Sequence, residues 1–310
     1  MHAEQAPWTG QTGARLRLNR WTARALPYLL VAPTGLTLVG LMLYPILRLI
    51  YTSLWSNYMV VKTPDFVGLG NFVWVLQQKV FPQIFLNTTL FTIASVILHI
   101  LMGLGLALLL SANIVPWTRA LFRGILIVPW MFTAVIVAVS WRLILHPFGI
   151  FNALLSSVGL MNLENPINWL GEVGLAMPAL ILINLWRGTP FVMLMLLAAL
   201  QSVPVELYEA AAVDGAGTWA RFRHVTIPII LPVVASVGLL DAIWNFRLFD
   251  LVFLTTGGGP LYSTHVLATY TYQLAFEGWE FGKASALAVL ILTTTAVLTY
   301  FYFRFQRISE

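Results

Sequence analysis

The sequence predicts an all-α integral membrane protein with six transmembrane helices, and three observations carry that reading. Hydrophobic residues make up 59% of the 310 residues and charged ones only 9%, against about a quarter charged in soluble domains. Mean hydropathy is +0.83. Segments near 26–50, 86–112, 121–144, 175–200, 230–254 and 284–303 are long and apolar enough to cross a bilayer core about 30 Å thick, which takes about 20 helical residues.

The first segment follows Arg15, Arg17, Arg20 and Arg24. It is too long for a signal-peptide core and lacks a small-x-small cleavage site, so it reads as an uncleaved anchor behind a cytoplasmic tail at 1–25. Prolines fall within several spans, at Pro33, Pro45, Pro129 and Pro190; neighbouring helices re-satisfy the carbonyls such prolines free. His99, at mid-depth in the second span, reads as an interhelical hydrogen bond rather than a ligand. The outer loops at about 55–85 and 145–174 are too short for a second large core, and 306–310 reads as a cytoplasmic tail. The whole of 26–305 is therefore one transmembrane domain.

Orientation follows from Lys and Arg. With the N-terminus inside, the cytoplasmic side holds Arg15, Arg17, Arg20, Arg24, Arg119, Arg123, Arg221, Arg223, Arg304 and Arg307, ten in all, against three outside, Lys62, Lys79 and Lys283. Cytoplasmic loops carry the cationic excess in membrane proteins, so both termini are expected in the cytoplasm. The net charge of +5 is then topological and implies no nucleic-acid partner. The absence of cysteine excludes disulfides and thiolate metal sites.

Between spans four and five lies a polar island, 201–228, expected on the cytoplasmic face. Locally it reads as two short helices. Ser202 can cap the first, with Pro204 in its first turn and Glu206 and Glu209 near its positive end. Gly215 supplies a left-handed stop. Thr218 can cap the second helix, which Pro228 is expected to end. Such a surface helix pair suits docking, and an ordinary amphipathic loop is the bland alternative.

Mid-membrane charges cost about 2.5–3.5 kcal/mol each on insertion scales and need a reason. Arg187 in span four and Asp241 in span five are expected at similar depth. Asn184 and Asn245 stand one turn away from them, and Trp186, Trp244, Arg247 and Asp250 continue the neighbourhood outward. Three explanations stay open: Arg187 and Asp241 neutralise each other, spans four and five line a translocation path whose polar groups and aromatics suit a sugar ring, or the two charges contact a second membrane subunit. Arg247 and Asp250 also fit snorkelling or gate positions.

Two chemistries are excluded. "LTTGGGPLYST" (254–264) lacks the G-K-[ST] of a phosphate loop and is expected on the outer face. The histidines His2, His99, His146, His224 and His265 show no metal-ligand spacing.

The island also carries a resemblance. Glu209-Ala210-Ala211, then Gly215, then Val225-Thr226-Ile227-Pro228 resemble the E-A-A, three residues, G, nine residues, I-x-L-P pattern of the membrane subunits of binding-protein-dependent ABC importers. The spacings hold, and the departures are Val225 for Ile and Ile227 for Leu. "FVGLGNF" (66–72), "WRGTPFVMLMLLAALQSVP" (186–204), "FDLVFLTTGGGP" (249–260) and "FGKASALAVL" (281–290) are similar to carbohydrate-type permeases of that family, those for maltose, trehalose and glycerol phosphate.

The resemblance implies a type I ABC importer permease fold in a bacterial or archaeal cytoplasmic membrane. It implies a second, homologous permease in a heterodimer, two ATP-binding cassette subunits and an extracytoplasmic binding protein delivering a sugar. ATP and magnesium would belong to the ATPase, this chain binding no cofactor and catalysing nothing. The island would be a coupling helix seated in the ATPase through Tyr208, Glu209, Ala210, Ala211, Asp214 and Gly215. The substrate path would draw on Asn184, Arg187, Asp241, Trp244, Asn245, Arg247 and Asp250. An ion-coupled carrier is the competing reading, but the inverted repeats and paired broken helices of such carriers are not visible. A membrane enzyme would need a nucleophile, base or metal cluster at one depth, and none is evident.

Overall fold

The computed structural model describes residues 20–56, 63–112 and 115–309, all helices and connecting turns with one isolated bridge between Trp55 and Phe66. The expected tail at 1–25 falls largely outside the described residues, as does Lys62. The described residues up to Arg48 and those from Leu49 onward form separate compact units.

The first unit holds α1 (Arg20–Leu38), a π-helical turn (Val39–Leu43) and the start of α2 (Tyr44–Ser53). Pro27 and Pro33 lie inside α1, and the stretch Leu26–Ser53 is long and apolar enough to span.

In the second unit, α3 (Gly70–Gln77) is a short helix that Asn71 ties back to the chain. Its amide donates to the carbonyls of Ser53 and Trp55 at 2.8 and 3.0 Å. Next comes α4 (Phe81–Ser111), the second span. The segment 121–144, expected as one span, is two helices, α5 (Pro116–Met131) and α6 (Ala134–Ile144), bent by 96°. Pro129 removes a rung of the ladder near the end of α5. Thr133 opens α6, its hydroxyl accepting from the Ile136 N–H.

The connection between α6 and the fourth span contains α7 (Ile150–Ser157), held by Asn152, which donates to the carbonyls of Pro147 and Ile167 and accepts from the Trp169 indole at 2.7 Å. The fourth span, α8 (Val173–Gln201), absorbs Pro178 and Pro190 without breaking. It is the most buried of the spans and packs chiefly on α4. Gly103 makes that approach possible, since a Cβ there would stand 3.0 Å from the Met193 nitrogen and from a Val192 methyl. Small residues permit such contact where apolar surface alone gives helices little reason to associate.

The island begins with α9 (Val205–Val213), followed by α10 (Thr218–Arg221). The chain then continues without interruption through a π turn (Phe222–Thr226) into α11 (Ile227–Phe246). The second island helix is therefore an extension of span five rather than a separate helix ended by Pro228. Pro228 stands at the first turn after the π turn, where its missing N–H leaves least unpaired.

Span five also ends earlier than expected, at Phe246 rather than 254. A break at 247–249 leads into α12 (Asp250–Thr255), which packs on α6. The rest is α13 (Leu267–Tyr272), a π turn (Gln273–Glu277) and α14 (Phe281–Ser309). α14 extends beyond the expected sixth span, through the expected tail at 306–309. Among the described residues, five helices are long and apolar enough to cross a membrane, or six if the bent α5–α6 pair counts as one span.

Candidate functional site

Where α4, α8 and α11 meet, polar side chains line a cavity of about 240 Å³ walled by His99, Trp130, Asn184, Arg187, Gly188, Asp241, Trp244, Asn245 and Leu248. His99, Asn184, Asp241 and Asn245 are each buried, with exposures of 1%, 5%, 5% and 6%. Buried polar groups at this density must satisfy one another, and these do.

The Asn184 amide nitrogen donates to Ser95 Oγ at 3.0 Å and to Asn245 Oδ1 at 2.7 Å. Asn245 Nδ2 donates to Asp241 Oδ1 at 2.9 Å and to the Asp241 carbonyl at 2.8 Å. His99 Nδ1 lies 2.7 Å from Asp241 Oδ2, and its Nε2 lies 3.1 Å from the Asn184 carbonyl. The bonds close into a ring, Asn184–Asn245–Asp241–His99–Asn184, that joins three helices.

Arg187 and Asp241 do not pair. Asp241 is engaged by His99 and Asn245, whereas Arg187 reaches the half-exposed Asp250 at 3.7 Å. The reason is the early end of α11: the break at 247–249 returns Asp250 toward α8, while His99 fills the space beside Asp241. The interhelical role expected of His99 is observed, but its partnership with Asp241 was not legible, because 142 residues separate them.

Aromatic rings frame the polar ring. Trp244 lies 4.9 Å from Phe191, and Trp130 lies 5.8 Å from the same Phe191. Trp186 faces away from the cavity toward Phe132 and Trp141. Arg247 caps α11 and is exposed, so the structure does not place it in the cavity. Sequence reasoning missed Ser95, Trp130, Gly188 and Leu248; of these only Gly188 lies in a quoted motif, and nothing there marked it as a cavity residue.

The second candidate site is α9. Gly215, at φ +77°, terminates it as the Ala216 N–H bonds the Ala211 carbonyl and the Gly215 N–H bonds the Ala212 carbonyl. This is the left-handed helix stop expected of glycine. Ser202 does not cap α9, because its hydroxyl donates back to the Ala199 carbonyl at the end of α8. Pro204 and Gly217 are the residues at the two N-caps, and Thr218 is already inside α10.

Tyr208 anchors α9: its hydroxyl shares a 2.8 Å hydrogen bond with Thr226, and its ring rests on Ala199, Val203 and Ile230. Glu209, Ala210 and Asp214 are exposed, with Ala211 partly so, and Val213 is 88% exposed. A helix that half-buries one tyrosine and offers alanines, carboxylates and a bare valine has an exposed face.

The Gly-rich turn is cross-braced by hydrogen bonds. Asn87 donates to the carbonyls of Tyr262 and His265 at 2.9 and 3.0 Å, and Thr264 bonds Thr256 and the Gly259 carbonyl. Burial holds the His265 imidazole below its ordinary pKa. Among the described residues, no group of three His, Cys, Asp or Glu could hold a metal.

The model of one protein family, described as binding-protein-dependent transport system inner membrane component, matches residues 99–310. The chain belongs to that family. Among similar proteins, the permease is 32% identical to the trehalose/maltose transport system permease protein MalF of Thermococcus litoralis, over 91% of this chain and 94% of that one. It is 33% identical to the sulfoquinovosyl glycerol transport system permease protein SmoG of Agrobacterium fabrum, over 95% and 96%. A bacterial alginate ABC transporter, solved with an alginate pentasaccharide-bound periplasmic protein, superimposes with a TM-score of 0.80 at 25% identity, covering 95% of this chain and 99% of that one. The expected fold, that of an ABC importer permease, is thereby established.

Proposed function

We propose that this permease forms half of the translocation path of an ATP-driven saccharide importer, taking its substrate from an extracytoplasmic binding protein. The observation that carries the reading is the polar, aromatic-walled cavity between α4, α8 and α11, in a chain whose relatives include permeases named for trehalose, maltose and sulfoquinovosyl glycerol. Trp130 and Trp244 offer flat apolar faces, and Arg187 supplies donors for sugar hydroxyls. The Asp241 carboxylate and the amide hydrogens of Asn184 and Asn245 are engaged within the wall and shape the cavity. At about 240 Å³ it is smaller than the 300–1,000 Å³ typical of ligand sites, which supports a second permease completing it.

In this reading α9 is the coupling helix. Glu209, Ala210, Ala211 and Asp214 contact a cytoplasmic ATPase, Gly215 sets the turn, and Tyr208 transmits movement through Thr226 to α11. The ATPase supplies ATP and magnesium, and this chain binds neither. The excess of arginines on the α9 side supports cytoplasmic termini in a bacterial or archaeal cytoplasmic membrane. The domain is 26–305, with the coupling loop at 201–228. The test is saccharide uptake into proteoliposomes holding this permease, its partner permease and the ATPase, with binding protein outside. Uptake that requires internal ATP is expected; uptake by this chain alone, driven by a proton or sodium gradient, overturns the reading.

A further inference from the structure

A second, larger cavity shares no residue with the polar one. It is a groove of about 690 Å³ between α4 and α8, within the range of ligand sites. The two helices lie side by side and run the same way, since His99 meets Gly188 and Gly103 meets Met193. Each gives one stripe to the groove: Leu90, Ala94 and Leu98 from α4, and Gly174, Met177, Ile181 and Leu185 from α8. Spacings of three and four residues keep each stripe on one helix face.

Size selects the occupant. The rise is about 16 Å from Gly174 to Leu185 and about 22 Å from Gln83 to Leu98. A volume of about 690 Å³ over roughly 20 Å of length leaves a cross-section of about 35 Å². A helix about 10–12 Å across needs roughly 80–110 Å² and is too wide to enter, whereas a hydrocarbon chain is not. The apolar α4 stripe, Leu90 to Leu98, rises about 12 Å, close to one leaflet of a hydrocarbon core about 30 Å thick.

The chemistry changes at the end where both helices begin. There Gln83, Asn87 and Ser263 line the groove. Ser263 is 7% exposed, and its Oγ meets no hydrogen-bond partner among the described residues, a costly arrangement for a buried hydroxyl. Asn87 donates to the carbonyls of Tyr262 and His265, which holds the turn carrying Ser263 against α4. No charged side chain among the described residues lines the groove, so nothing there selects an ionic head group.

We propose that this groove holds one acyl chain of a glycerophospholipid, with the Ser263 hydroxyl donating to an ester or phosphate oxygen at its mouth. The lipid belongs to the leaflet away from α9, because α8 begins at the mouth and ends beside α9. The inference needs only membrane insertion and stands apart from what the chain carries.

The test is photolabelling of the full chain in phosphatidylcholine nanodiscs that include phosphatidylcholine with a diazirine midway along one acyl chain, the adducts being located by peptide mass spectrometry. Adducts should concentrate on Ala94, Met177 and Ile181 above those on Val297 and Tyr300 of α14, although these last are 50% and 60% exposed. Groove labelling no greater than that of α14 overturns the proposal. Gly174→Leu places a side chain where a Cβ meets nothing within 4 Å, so it should fold and lower groove labelling to the α14 level. Ser263→Ala should lower it about two- to tenfold, the factor one hydrogen bond supplies. Melting curves identify the folded variants, and unchanged labelling in either of them overturns the assignment. Adding the second permease should leave the groove labelled; if the adducts vanish, a protein surface covers it and the lipid assignment is wrong.

Discussion

Gly188→Ala is a small change with a large expected cost. The new methyl would meet the His99 imidazole at 2.5 Å, and the ring has nowhere to go, being 1% exposed and held at 2.7 Å by Asp241. Accommodation by strain alone would cost about 1–3 kcal/mol. Expelling the ring leaves a buried carboxylate without its partner, which costs about 3–5 kcal/mol. Alanine returns about 0.8–1.0 kcal/mol as a better helix former than glycine. With the ring expelled, the net destabilisation is about 2–4 kcal/mol.

Gly105→Ala is the control, because nothing lies within 4 Å of its added methyl. It should be neutral or stabilising by up to about 1 kcal/mol. Equilibrium unfolding in mixed micelles, followed by tryptophan fluorescence, compares the two. The cost of Gly188→Ala should largely vanish in a His99→Ser background, as coupling between touching residues requires. If the two alanine variants unfold within about 0.5 kcal/mol of each other, the limit of independent additivity, His99 does not sit against α8 as described.

Four further outcomes follow from the same geometry. Tyr208→Phe removes the bond to Thr226 and should cost about 0.5–1.5 kcal/mol of stability, while lowering uptake more than ATPase activity; equal loss of both would deny it a role in transmission. Gly215→Val places a β-branched residue at φ +77°, which should distort the end of α9 and reduce co-purification of the ATPase, whereas Glu206→Gln, earlier on α9, should not. Arg187→Ala removes an ion pair whose side chains are 25% and 45% exposed, so stability should change by less than about 1 kcal/mol while saccharide uptake falls sharply; unchanged uptake would remove Arg187 from the path. Because burial lowers the His265 pKa, the unfolded chain binds the proton first, so stability is full above the ordinary histidine value and declines as pH falls through it toward the lowered one; His265→Gln should flatten that decline in a pH series of melting curves.

Much of the site was legible because its residues are expensive. Asp241, Asn184 and Asn245 interrupt apolar helices, and a polar group at that depth must be paired or used. Their partners were not legible. Arg187 and Asp241 match in charge and depth, yet the pairing failed because α11 stops at Phe246 and an unremarkable histidine on α4 occupies the space. At α9, Gly215 was readable because a left-handed stop demands glycine. The Ser202 cap was not, since a hydroxyl beside two helix ends can serve either, and here it closes α8. Pro129 announced a weakness in the third span but not its consequence: a proline removes one hydrogen bond, and the surrounding packing decides whether the helix bends by 96° or runs on, as α8 does through Pro190.

The sequence by itself determined the solvent, the long apolar helices and the exposed loop, because hydropathy and spacing act along the chain and need no partner. The tertiary fold alone decided which polar groups touch. Hydrogen bonds are made across helices whose register is set by close contacts such as Gly103 on Met193 and Gly188 on His99, and no stretch of sequence contains both sides of such a contact.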